Sequence, residues 1–145
     1  MKNGFARAAI LILCALSIGA GQGGRAKRVI HFRNTESQIA QVEEGAAQGH
    51  QPWHSDPYLV AQAALLQVEP AIDPKTAGSI PYERTIPSPL HQLFRFEIID
   101  SHHLDEISVQ RLHWHNPRTQ TRELTGTWWA TKAVISDRAT PDKSR

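Results

Sequence analysis

The chain predicts an α+β fold, with two helices packed on a three- or four-stranded antiparallel meander. Three observations predict it. Residues 92–135 alternate apolar and polar side chains between turn signals, the period-two pattern of half-buried strands. Two earlier segments, 36–48 and 58–68, carry helix-start residues followed by apolar positions at helical spacing. No internal repeat is visible, and helices followed by a run of strands imply helices laid across one sheet face.

Of the 145 residues, 1–20 read as a secretory signal peptide. Lys2 and Arg7 form a basic start, 8–20 is an uncharged apolar or small run, and Ser17, Gly19 and Ala20 are small residues suited to cleavage. That run has 13 residues, whereas a spanning helix needs roughly 18 or more, so a retained N-terminal membrane anchor is the alternative. Leu13 directly before Cys14 argues against lipid attachment, which requires a small residue there. Without the segment, sixteen basic side chains become fourteen against fourteen acidic ones, and the mature domain is formally neutral. Neutrality argues against a nucleic-acid partner, whose phosphates would call for a basic patch. Cleavage also removes the only cysteine, leaving neither a disulfide nor a thiol nucleophile.

Residues 21–28 (GQGGRAKR) suit a flexible leader, and 29–138 a single domain. Val29, Ile30, His31 and Phe32 form either a short strand or a segment docked on the sheet. Thr35 and Gln38 have the spacing of a capping box opening a helix over 36–48. Ile39, Val42 and Ala46 mark its apolar side, Gly45 weakens its interior, and Gly49 suits its left-handed end. After a compact loop, Asp56 as N-cap and Pro57 at the first helical position start a second helix, which stops before Pro70. Only Gln62 and Gln67 are polar within 58–68, so this helix is expected to be central and covered on more than one side. Gly49, His50, Pro52, Trp53, Asp56 and Pro57, followed by an Ala-rich helix, resemble a stretch recurring in small bacterial exported proteins. The resemblance covers about twenty residues, implies export, and brings no known activity.

Five prolines in 69–89 exclude a helix and a central strand, leaving 82–86 as a candidate edge strand. Phe94, Phe96 and Ile98 then point one way and Arg95 and Glu97 the other. Residues 100–106 read as a polar connection, 107–115 as the second strand and 122–135 as the third, with a break or bulge at Gly126. In the second strand Ile107 and Val109 share one face but Leu112 and Trp114 the other. Either both faces are covered, or a bulge near Gln110 and Arg111 switches the phase. Asn116 and Pro117 suit the turn that follows, and 139–145 read as a disordered tail. Cystatin-like and NTF2-like folds share this layout.

For function, His113 and His115 fall on one side of a strand and are the candidate pair for zinc or copper, although no third ligand is evident nearby. His102 and His103 form a separate group roughly 30 Å along an extended chain. Asp105 and Glu106 read as solvated turn carboxylates. Trp53, Trp128 and Trp129 are candidate partner or ligand surfaces, with one member of the 128–129 pair expected in the core. Asp100, Ser101 and His102 make a triad in text only, since consecutive residues do not converge on one point. No nucleophile elbow, phosphate loop or metalloprotease helix motif occurs, and no catalytic residue is assigned. The expectation is an exported, non-enzymatic binding module for an unidentified protein or small ligand. A periplasmic metal-binding protein using His113 and His115, and a small NTF2-like enzyme, are the alternatives.

Overall fold

The computed structural model describes residues 27–99 and 102–137. The expected signal peptide, most of the leader and the tail lie outside them, as do Asp100 and Ser101. Among the described residues the order is β1 (Lys27–His31), α1 (Glu36–Ala47), α2 (Pro57–Val68), β2 (Tyr82–Ser88), β3 (His91–Ile98), β4 (His103–Gln110), β5 (His113–Asn116), β6 (Thr121–Leu124) and β7 (Trp129–Asp137). Short 3-10 turns at Pro52–Ser55 and Ala77–Ser79 flank α2 in sequence. The fold is α+β. The main sheet has five strands in the order β1-β7-β4-β3-β2, every neighbouring pair antiparallel, and β5 and β6 form a separate hairpin.

Both helices begin where their capping residues dictate. The Gln38 amide donates to Thr35 Oγ1 at 3.3 Å while the Thr35 amide donates to Gln38 Oε1 at 3.0 Å, so two orphan donors are satisfied reciprocally. Gly49, at φ 77°, adopts the left-handed conformation that follows α1. At α2 the Tyr58 amide donates to Asp56 Oδ1 at 2.8 Å, and Pro57 occupies the first position.

The apolar sequence of α2 is buried as a stripe rather than all round. Val60, Ala61, Ala64, Leu65 and Val68 face the sheet, whereas Leu59 is exposed and Ala63 and Leu66 are half-buried. Opposite that stripe, Phe94, Phe96, Ile107, Val109, Ala133 and Ile135 complete the main core. Phe94, Phe96, Ile107, Val109, Ala61 and Leu65 are all inaccessible to solvent, so the space between α2 and the sheet is filled.

The strand reading requires two corrections. Residues 103–106, expected in a polar connection, open β4: His103 pairs with Ile98, and Asp105 with Phe96 and Ile135. Asp105 therefore points into the buried face. The strand expected over 107–115 ends at Gln110, and the chain leaves the sheet through Arg111 and Leu112. The phase conflict between Val109 and Leu112 is thus a departure into a second sheet, not a bulge. The stretch expected over 122–135 with a break or bulge at Gly126 is two strands, β6 and β7, interrupted around that residue. A bulge does occur at the neighbouring step, where Ser108 pairs with Lys132 but Val109 with Ala130. β2 is the fully exposed edge, and its pairing register shifts between Thr85 and Ser88, around Pro87.

The hairpin makes its own small core, in which Trp114 and Trp129 meet Ile39 of α1. One α1 side chain fixes the corner between β6 and β7. Glu43 accepts from the Gly126 and Thr127 amides at 2.9 and 3.0 Å and also from the Thr127 hydroxyl. Charged acceptors make the stronger hydrogen bonds. Replacing Glu43 with Ala is expected to lower stability in urea unfolding by about 2–3 kcal/mol. Its neighbour Glu44 pairs with Arg118 on the open surface, and Glu44→Ala is expected to cost less than about 1 kcal/mol.

Candidate functional site

Two places at opposite ends of α2 concentrate chemistry. At its N-terminal end, the turn Pro52–Ser55 holds Trp53 outward and His54 inward; they are 39% and 7% exposed respectively. His54 is stitched to β7. Its ring Nδ1 lies 3.0 Å from the Trp128 carbonyl oxygen, which makes Nδ1 the donor, and the Trp128 amide donates to the His54 carbonyl at 2.8 Å. The imidazole sits between two indoles, with ring centroids 3.8 Å from Trp53 and 5.1 Å from Trp129. These rings line a cleft of about 350 Å³ whose walls come from α1, α2 and the segment after β1. Trp53, Val60, Ala64 and Trp129 supply its apolar surface, and Asn34, Gln38, Gln41, Gln51 and Gln67 supply carboxamides. Two of these amides are already committed: Asn34 donates to the Ala130 carbonyl, and Gln38 caps α1. Among the described residues no carboxylate lines the cleft, and Arg33 is its one permanently charged residue.

At the other end, Glu69 caps the last turn of α2 and meets β4. His103 and Asp105 alternate on the strand and so share the face beneath it. His103 Nδ1 donates to Glu69 Oε1 at 2.8 Å, and its Nε2 lies 3.8 Å from Asp137 Oδ1. Ligand-type atoms of Glu69, His103 and Asp105 all lie within 4.8 Å of one another. Asp105 is fully buried, and among the described residues neither carboxylate oxygen has a donor, so only a proton shared with the Glu69 carboxylate could bond it. Burial foremost, then the adjacent Glu69 carboxylate, pushes its pKa up to about 7, against the opposing pull of His103 and Arg28. Arg28 approaches from β1, with its guanidinium donating to the Val68 carbonyl at 3.2 Å.

No relative speaks for either place. The chain matches no protein-family model, no curated protein and no solved structure.

The candidates read from the sequence fall differently. His113 and His115 share the exposed side of β5, opposite buried Trp114, and pair with Leu124 and Arg122. Among the described residues no third His, Cys, Asp or Glu completes a ligand set with them. Glu36 of α1 accepts from the His115 amide at 3.0 Å, and Glu123 of β6 from the Asn116 side chain. Trp128 enters the main core and Trp129 the hairpin core, at 5% and 6% exposure, and Trp129 also lines the cleft. Trp53 is the exposed member of the three. Asp105 is not the solvated turn carboxylate expected. The sequence reading missed Glu69 and His54. For His103 and Asp105 the signal was present, since their two-residue spacing continues the phase of Ile107 and Val109.

Burial lowers the pKa of His54 below 6.5, with the Trp128 carbonyl and the Glu43 charge opposing. The unfolded chain therefore takes up this proton first as pH falls. The contribution of His54 to stability is present above pH 6.5 and is lost as pH drops from there towards the folded value. Urea unfolding of the wild type and His54→Gln at pH 8 and pH 5 checks this. The wild type is expected to lose more stability on acidification than the variant, because other titrating groups are common to both.

Proposed function

We propose that the chain is an exported, non-enzymatic bacterial binding module that takes a small neutral ligand with one flat apolar face, such as a sugar ring, in the cleft beside α2. The observation that carries this reading is the half-exposed indole of Trp53, set in a concave surface that, among the described residues, is rich in carboxamides and free of carboxylates. An indole stacks on the apolar face of a ring at low entropic cost, and carboxamides both donate to and accept from hydroxyl groups. A cleft of this size is within the usual range for small-molecule sites. His54, held neutral by burial, adds polarity without charge. Arg33 extends the range to weakly anionic ligands.

Export rests on the signal-like segment 1–20 and on the resemblance of the 49–57 stretch to exported proteins. No helix among the described residues is long and apolar enough to cross a membrane. A membrane association would therefore belong to the N-terminal segment, were it retained. The neutral charge of the processed domain favours a small-molecule or protein ligand over nucleic acid.

The test is tryptophan emission of the full chain titrated with glucose, N-acetylglucosamine and their β-linked disaccharides. At least one is expected to shift the emission saturably. Trp53→Ala is expected to weaken that response roughly 30-fold, equivalent to about 2 kcal/mol for a central aromatic contact. A response in none of them, or one unchanged in Trp53→Ala, contradicts the proposal.

A further inference from the structure

We infer that Glu69, His103 and Asp105 bind one divalent transition-metal ion of the class that accepts mixed imidazole and carboxylate donors. Three observations converge. The donor atoms lie within 4.8 Å of one another on two rigid elements, the end of α2 and the central strand β4. The Asp105 carboxylate, inaccessible to solvent and without a donor among the described residues for either oxygen, is aimed into this cluster. Buried carboxylates are normally paired, and this one lacks the donors that would pair it. Arg28 donates to the Val68 carbonyl, and among the described residues no hydrogen bond joins it to Asp105.

The second shell and the charge balance agree. With His103 Nδ1 directed at the ion, its Nε2–H would face Asp137 Oδ1, now 3.8 Å away, in the carboxylate–histidine–metal arrangement that orients ligating imidazoles. Once both carboxylates are ionised, they outweigh the nearby Arg28 by one negative charge, which favours a dication. An access cleft of about 480 Å³, into which Glu69, His103 and Asp137 open and beside which Lys27 sits, provides an entry path and room for water at the remaining coordination positions. The donor set selects the kind of ion. An imidazole is foreign to calcium and magnesium sites, and the absence of thiolate and thioether disfavours copper(I), which leaves zinc and its divalent neighbours. The site is separate from the Trp53 cleft, so either reading stands if the other fails.

The test uses the full chain without an affinity tag, carrying Cys14→Ser so that its thiol does not compete, stripped with EDTA and titrated calorimetrically with Zn²⁺ at pH 7.5. One equivalent is expected to bind saturably. Asp105→Asn, which preserves shape, and His103→Gln are each expected to weaken binding by roughly tenfold or more, at least the effect of losing an outer-shell partner. The double variant His113→Ala/His115→Ala is expected to bind as the parent does. If His103→Gln does not fold, as judged by circular dichroism, Asp105→Asn decides alone. The inference is overturned by an absence of saturable binding, which would mean the cluster holds only a proton. It is also overturned by Asp105→Asn binding unchanged, or by loss of binding in the His113/His115 variant.

Discussion

The packing of the α2 stripe on the sheet is the constraint from which the rest follows. Val60, Ala61, Ala64, Leu65 and Val68 lie against side chains from β3, β4 and β7, and together they close one face of the sheet. With that interface filled, chemistry is displaced to the two ends of the helix. At the start, the turn before Asp56 must fold back over β7, which drives His54 between two indoles and leaves Trp53 outside. At the finish, the chain leaves the helix at Glu69 directly above the opening residues of β4. Pro70 prevents the helix from continuing past this point.

The two ends treat ionisable groups in opposite ways. Burial holds His54 neutral, and its ring is satisfied by a backbone carbonyl, so that end is polar but uncharged. Around Asp105, burial also favours the neutral form, but no neutral donor satisfies the carboxyl, and a second carboxylate stands beside it. The first environment suits an uncharged organic ligand; the second calls for a cation. The opposite face of the sheet is simpler: Arg95 pairs with Glu83 and Glu106 across β2 and β4, in exposed pairs of small energetic weight.

Local signals in the sequence translated well. Both helix starts are decided within four residues by capping side chains, and the alternation of Phe94, Phe96 and Ile98 needs no distant partner to be read. The losses came where tertiary context overrides pattern. Asp105 occupies a core-facing position that an apolar template rejects, so the pattern places the start of β4 four residues too late. The phase conflict at Leu112 was visible, but nothing local says that the chain crosses to another sheet, where Trp114 packs on Ile39 of α1. That second core also explains how adjacent Trp128 and Trp129 are both buried: they point into different cores. Glu69 was hidden because its meaning depends on a strand thirty-four residues away.

The account's central claim is that the orphan carboxylate at the finish of α2 exists to hold a metal, and anomalous diffraction from crystals grown with zinc tests it most directly. A single peak is predicted, about 2.0–2.2 Å from His103 Nδ1 and from oxygens of Glu69 and Asp105. A peak at His113 and His115 instead, or none while Glu69, His103 and Asp105 keep their present arrangement, would contradict it.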